Sequence, residues 1–166
     1  MDTRLLVVLD DSAASKRAVK YVGKFVGKRT GFRICLLHVL PPMPSELLEH
    51  GGSENPMKES RLGVNQKTEQ HRWISAAKKA SQRSMDGARA TLQTAGVSAG
   101  TVKALSYEPG ENQDAADIIL SVARGSHCRT VVVGRQSASW FQELFSGQLS
   151  DELHRRGKEF SVWAIE

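Results

Sequence analysis

Short, wholly apolar runs alternate along this chain with segments whose apolar positions recur at the helical period. Leu5-Leu6-Val7-Val8-Leu9 is continuous, as a strand covered on both faces of a parallel sheet must be. It stops at Asp10-Asp11-Ser12, where Ser12 or Asp11 can cap a helix by accepting from its free N–H groups. That helix is predicted from Ala14, Ala18, Val22, Phe25 and Val26, with Lys16, Lys20 and Lys24 on the other side and Gly31 closing it. A second β run covers residues 32–40 and ends in Pro41-Pro42. Residues 41–70 contain Pro41, Pro42, Pro44 and Pro56, with Gly51, Gly52 and Gly63 and few large apolar side chains. They read as a flexible insertion with one short helical turn at Leu47-Leu48, and their place after Val39 suits a lid.

From about His71 the helical period resumes. Trp73, Ala77, Ala80, Ser84 and Ala88 lie on one line, with Ile74, Ser81, Met85 and Leu92 beside it, until Gly96. A weaker strand covers 102–107 and a helix 114–124, with Ala115, Ile118, Ile119 and Val122 inward. Then come a strand over 130–133 ending at Gly134, a short helix near 148–156 and a last strand over 160–165. This alternation predicts an α/β fold: three layers around a mainly parallel sheet with right-handed crossovers. No internal repeat interrupts it. One domain, 1–166, is expected.

Composition narrows the class. A chain of 166 residues, 40% hydrophobic and 25% charged, can bury a core without disulfide or metal staples. No run reaches the length of a transmembrane helix. Met1-Asp2-Thr3-Arg4 leads straight into the first β run without the longer apolar core of a signal peptide, so a cytoplasmic protein is expected. The net charge of +5 comes from 23 basic and 18 acidic residues. The basic ones fall in short clusters (Lys16-Arg17, Lys78-Lys79, Arg155-Arg156) without interleaved aromatics. Mild attraction for small anions is expected, and no sequence-specific nucleic-acid partner. Cys35 and Cys128 lie in or beside apolar runs and read as buried, reduced thiols. No cluster has metal-ligand spacing.

Ligands of open α/β sheets bind beyond the carboxyl ends of the strands, where the strand order reverses. The residues there are Asp10-Asp11-Ser12, His38-Val39-Leu40, Tyr107-Glu108 and Gly134-Arg135-Gln136-Ser137. Ser146-Gly147-Gln148 precedes a helix, whose N–H groups and dipole suit a phosphate. Gly134 and Gly147 read equally well as a turn and a helix start.

Four motifs then stand in order: Val7-Val8-Leu9-Asp10-Asp11-Ser12-Ala13, Leu36-Leu37-His38-Val39, Val131-Val132-Val133-Gly134-Arg135 and Gly147-Gln148-Leu149-Ser150-Asp151. Together they resemble the signature regions of the universal stress protein family across nearly the whole chain. The resemblance implies a five-stranded parallel sheet of order 3-2-1-4-5 inside an α/β/α sandwich of the Rossmann-like, adenine nucleotide alpha hydrolase-like kind. It also implies binding of ATP or another adenine nucleotide such as AMP. Asp10 and Ser12 would hold adenosine with backbone at Val39, while Gly134, Arg135, Ser137, Gly147, Gln148 and Leu149 would line ribose and phosphates. The family's glycine-rich pattern is altered, since Ser137 replaces its second glycine and Gln148 its closing Ser/Thr. A side chain at Ser137 narrows the approach to phosphate, and Gln148 retains only its backbone donor. Arg135 reads either as a phosphate partner or as a solvated strand end. Trp140 and Phe141 either cover a nucleotide, dock on a partner or pack back on the domain.

Enzymes leave other marks. The chain has no GxxxxGK[ST] loop, no GxSxG elbow, and neither the SGGxDS nor the HxGH motif of related nucleotide enzymes. Asp10-Asp11 mimics the acidic pair of a phosphoacceptor receiver, but the aspartate ending the third strand and the lysine ending the fifth are missing. A non-catalytic module is expected, either binding a nucleotide or acting as an interaction protein. His38 reads as a packing or hydrogen-bonding residue. Strand five carries no charge before Glu166, which invites pairing along its edge. The resemblance implies a homodimer through it, with Val162, Trp163 and Ala164 at the interface. Lys158-Glu159 stands there in place of the family's usual proline.

Overall fold

The computed structural model describes residues 3–48, 54–110, 113–135 and 149–166. Five strands, β1 (Thr3–Leu9), β2 (Phe32–Val39), β3 (Val102–Tyr107), β4 (Thr130–Gly134) and β5 (Ser161–Ile165), form one all-parallel sheet of order β3-β2-β1-β4-β5. This is the predicted order. The central strand β1 is buried from Leu5 to Leu9 because helices cover both of its faces.

On one face lie α1 (Ala13–Val26) and α3 (Pro56–Thr94), over Leu5, Val7, Leu9, Leu36 and Val132. On the other lie α4 (Ala115–Gly125) and α5 (Leu149–Arg156), over Leu6, Val8, Leu37, Val131 and Val133. The split follows from strand geometry, in which successive side chains point to opposite faces. A four-residue helix, α2 (Ser45–Leu48), and a 3₁₀ turn, Ala99–Thr101, complete the described elements.

Two sequence expectations need correction. Gly31 does not close α1; Gly27 does, at φ 50°, with its N–H bonded to Gly23 O at 2.7 Å. The inward line of α1 ends at Val26, so the helix has no face to bury beyond it. More important, residues 56–70 are not part of a loop. Helix α3 begins at Pro56 and runs for 39 residues, about 58 Å at the usual rise. Asn55 caps it by accepting from Met57 N at 3.0 Å, and Pro56 stands in the first turn, where its missing N–H costs nothing. Gln66 and Gln70 donate to Leu47 O at 3.0 and 2.5 Å, tying α2 to its side. Its buried residues are Ser81, Met85, Ala88 and Leu92. The first 25 residues bury none and extend past the sheet.

Candidate functional site

Because β1 lies between β2 and β4, the strand order reverses beside it, and the crevice opens outside its carboxyl end. Asp10 stands there, 7% exposed. Its Oδ1 accepts from Ser12 N at 3.0 Å and from Ser12 Oγ at 2.6 Å. The same Ser12 Oγ accepts from Ser15 N at 3.0 Å, which makes Ser12, not Asp11, the cap of α1. Ser15 is buried beneath, its Oγ accepting from Asp10 N at 3.3 Å and donating to Val8 O at 3.4 Å. One turn therefore starts the helix and fixes the carboxylate: Ser12 caps α1 and holds Asp10 Oδ1, while Ser15 ties the Asp10 backbone to β1.

Asp11 adopts φ 63°, a left-handed conformation that short polar side chains tolerate best. It reaches across to His38, with Oδ2 3.2 Å from Nε2. His38 is 3% exposed, and its Nδ1 is buried with no partner among the described residues. The hydrogen-bonding role expected for His38 is thus occupied by Asp11. Nothing in the sequence signalled this pairing, because it depends on the turn conformation of a residue 27 positions away.

Side-chain alternation sorts the remaining candidates. Val39 and Tyr107 pack with the α4–α5 core, and Asp10 continues the line of Leu6 and Val8 onto that face. His38 continues the line of Ile34 and Leu36 toward α1 and α3. The candidate adenosine contacts, Asp10 and Val39, therefore share one side of the sheet.

Gly134 ends β4 where the first turn of α1 crosses it. A Cβ there would lie 2.6 Å from Ala14 C and 2.7 Å from Ser15 N. The element that approaches this glycine so closely is α1 itself. Arg135 follows, its N–H bonded to Ile165 O at 2.8 Å and its guanidinium paired with the Glu166 carboxylate. Leu149, 6% exposed, packs its side chain in the core under α4 and leaves only its backbone for a ligand. Ser137, Gly147 and Gln148, with Trp140 and Phe141, lie outside the described residues. Among the described residues no group of three His, Cys, Asp or Glu is placed to hold a metal ion.

Away from this crevice the cysteines are free and buried, as expected. Burial, and next the neighbouring Cys35, push the Cys128 thiol up to about 11.

The Universal stress protein family model matches residues 1–159. The chain belongs to the universal stress protein family. No curated protein matches it. Among solved structures, a universal stress protein from Burkholderia pseudomallei is similar at TM-score 0.64 and 17% identity, covering 98% of this chain and 95% of that one. A universal stress protein in complex with cAMP aligns at TM-score 0.58 and 16% identity, over 99% of this chain and 96% of its own. One from Archaeoglobus fulgidus in complex with dAMP aligns at TM-score 0.52 and 11% identity, over 100% and 98%. At such identities the likeness speaks for the fold of this universal stress protein. No helix among its described residues is long and apolar enough to cross a membrane.

Proposed function

We propose that this universal stress protein is a cytoplasmic, non-catalytic stress-response module that binds an adenine nucleotide, ATP or AMP, at the carboxyl ends of its strands. The observation that carries the reading is Asp10: a buried carboxylate, held at the point of strand reversal by two hydrogen bonds from Ser12. Burying a carboxylate is costly unless hydrogen bonds or an opposite charge compensate it, and adenosine hydroxyls are donors of the kind that would add to those from Ser12. Two relatives with this fold are complexes with cAMP and dAMP, both adenine nucleotides.

In this reading Asp10 accepts hydrogen bonds from adenosine, Ser12 keeps it aligned, and backbone at Val39 meets adenine. Residues 134–148 and the backbone of Leu149 follow ribose and phosphates, with the start of α5 contributing its N–H groups and dipole. Arg135 turns from Glu166 to phosphate, a small loss because that ion pair is exposed. No metal takes part. The dimer forms through the outer edge of β5, at Val162, Trp163 and Ala164.

The test is mass spectrometry of small molecules released from undialysed protein, with calorimetric titration of ATP and AMP. Bound nucleotide or micromolar affinity is expected. Asp10→Asn, which keeps an acceptor for Ser12 but removes the charge, should weaken binding about tenfold, as loss of a charge-assisted hydrogen bond of about 1.5 kcal/mol does. Absence of any nucleotide binding by the unaltered protein overturns the reading and leaves a dimeric interaction module in its place.

A further inference from the structure

The fold gathers what the sequence disperses. Helix α1 carries Lys16, Arg17, Lys20 and Lys24 and no acidic residue, while α3 carries eight Lys and Arg against Glu59, Glu69 and Asp86. These two helices cover the same face of the sheet and together hold a formal +9, although the whole chain is only +5. The opposite layer is balanced. Asp117 offsets Arg124 in α4, and Asp151 and Glu152 offset Arg155 and Arg156 in α5. Of the two helix layers, the α1–α3 layer is strongly cationic and the α4–α5 helices are neutral.

Within α3 the charge is ordered further. At 3.6 residues per turn, Lys58, Arg61, Arg72, Lys79 and Arg83 fall within roughly 60° of one another, on the side away from the buried line of Met85 and Leu92. All five are exposed. None takes part in an ion pair among the described residues, and neither do Lys16 and Lys20. The row spans about 38 Å, most of it on the part of α3 that buries nothing. At its inner end Arg83 meets Lys16 and Lys20 across a groove of about 520 Å³ between α1 and α3. The one acid lining that groove, Asp11, is engaged by His38.

From this arrangement we infer that the α1–α3 face binds double-stranded nucleic acid through its phosphate backbone, without sequence preference. Like charges stacked on one helix face repel each other; Glu69 and Asp86 stand three residues from Arg72 and Arg83, but among the described residues neither forms an ion pair that relieves them. A polyanion does. The row is a straight line of cations about as long as one duplex turn of roughly 34 Å, and a duplex presents one phosphate charge per about 1.7 Å of axis. The stripe has no aromatic on which a single-stranded base stacks. Between its cations it holds Asn65 and Ala76, nothing that inserts into lipid; exposed Met57, Leu62 and Val64 lie off it. With Lys and Arg as its contacts it reads backbone, not bases.

The experiment is fluorescence anisotropy of a labelled duplex of about 20 base pairs, roughly two turns, as DNA and as RNA. Salt is varied between about 50 and 200 mM. Salt-dependent binding is expected. The triple variant Arg72→Gln/Lys79→Gln/Arg83→Gln should weaken it tenfold or more and reduce the slope of log K against log salt by about 2.7. Lys16→Gln/Lys20→Gln tests the groove separately and should weaken binding too. Lys67→Gln/Lys78→Gln/Arg89→Gln removes equal charge from the other side of the same helix and should cost far less. All the substituted positions are exposed except Arg89, which is half-buried, and thermal melting confirms that each variant is folded. The inference is overturned by the absence of duplex binding at about 50 mM salt, or by equal losses from the stripe and control variants. Capture by phosphatidylserine vesicles without duplex binding overturns it as well.

Discussion

At the scale of single residues, the candidate site is a hydrogen-bonded turn in which each group has two duties. Ser12 caps α1 and holds Asp10 through one hydroxyl. Ser12→Ala should therefore cost about 1 kcal/mol, the usual value for a lost cap, in urea unfolding, and should loosen nucleotide binding as well. Gly134 is stricter. Any Cβ there meets backbone rather than a yielding side chain, so Gly134→Ala should destabilise by about 2 kcal/mol or more, measured the same way. Cys128 gives the pH dependence. The folded thiol titrates near 11 against 9.0 for the free group, so the folded state binds its proton more tightly. That stabilising effect is complete below pH 9 and is lost as pH rises from 9 to 11. Denaturation midpoints followed across that range should fall, and Cys128→Ala should flatten the fall. Asp10, Val39 and Gly134 were legible in the sequence because strand ends are marked by a change from apolar to polar residues. The Asp11–His38 contact was not, since no pattern reports a positive φ at an aspartate.

At the scale of elements, the strands were the most legible part of the chain. Runs such as Leu5 to Leu9 are buried on both faces and need no partner pattern to be recognised. Helix α3 was the least legible over its first half, for a definite reason. Hydrophobic periodicity marks a helix only where one face is covered, and residues 56–70 bury none, whereas Trp73, Ile74 and Ala77 beyond them are half-buried and carry the period. What starts the helix there is local: the Asn55 cap, Pro56 in the first turn, and straight-chain residues of good propensity. Pro56 reads as a loop signal in the sequence, although it occupies the one helical position that suits it. This division predicts a gradient of stability along a single helix. Amides near Ser81, Met85, Ala88 and Leu92 should exchange only with global unfolding, whereas those of residues 60–78 should exchange by local fraying. Hydrogen exchange resolved by peptide would show it, and uniform protection along α3 would mean that a partner covers the outer half.

At the scale of the whole molecule, sheet order and layer arrangement place three different surfaces on three different sides. The carboxyl ends of β1, β2 and β4 hold the candidate nucleotide site, the α1–α3 layer carries the charge, and β5 forms an edge. The layers were predictable from alternation alone, but the charge asymmetry was not, because it requires knowing that α1 and α3 share a face. The edge allows a sharper test of dimerisation than substituting a large side chain. Trp163 stacks edge-on against Phe25 and Tyr21, at centroid distances of 5.1 and 6.3 Å, so replacing it disturbs the fold. Ser161 N bonds to Arg129 O and Ile165 O accepts from Arg135 N. Residues 161, 163 and 165 thus face β4, and Val162 and Ala164 turn their backbone groups to the open side, as a parallel ladder requires. Ala164→Pro removes an outward N–H while sparing the bonds to β4, a position where an edge strand tolerates proline. If two copies pair along β5, this variant should scatter light as a monomer with its melting behaviour nearly unchanged. A dimer mass that survives the substitution would place the contact on another face.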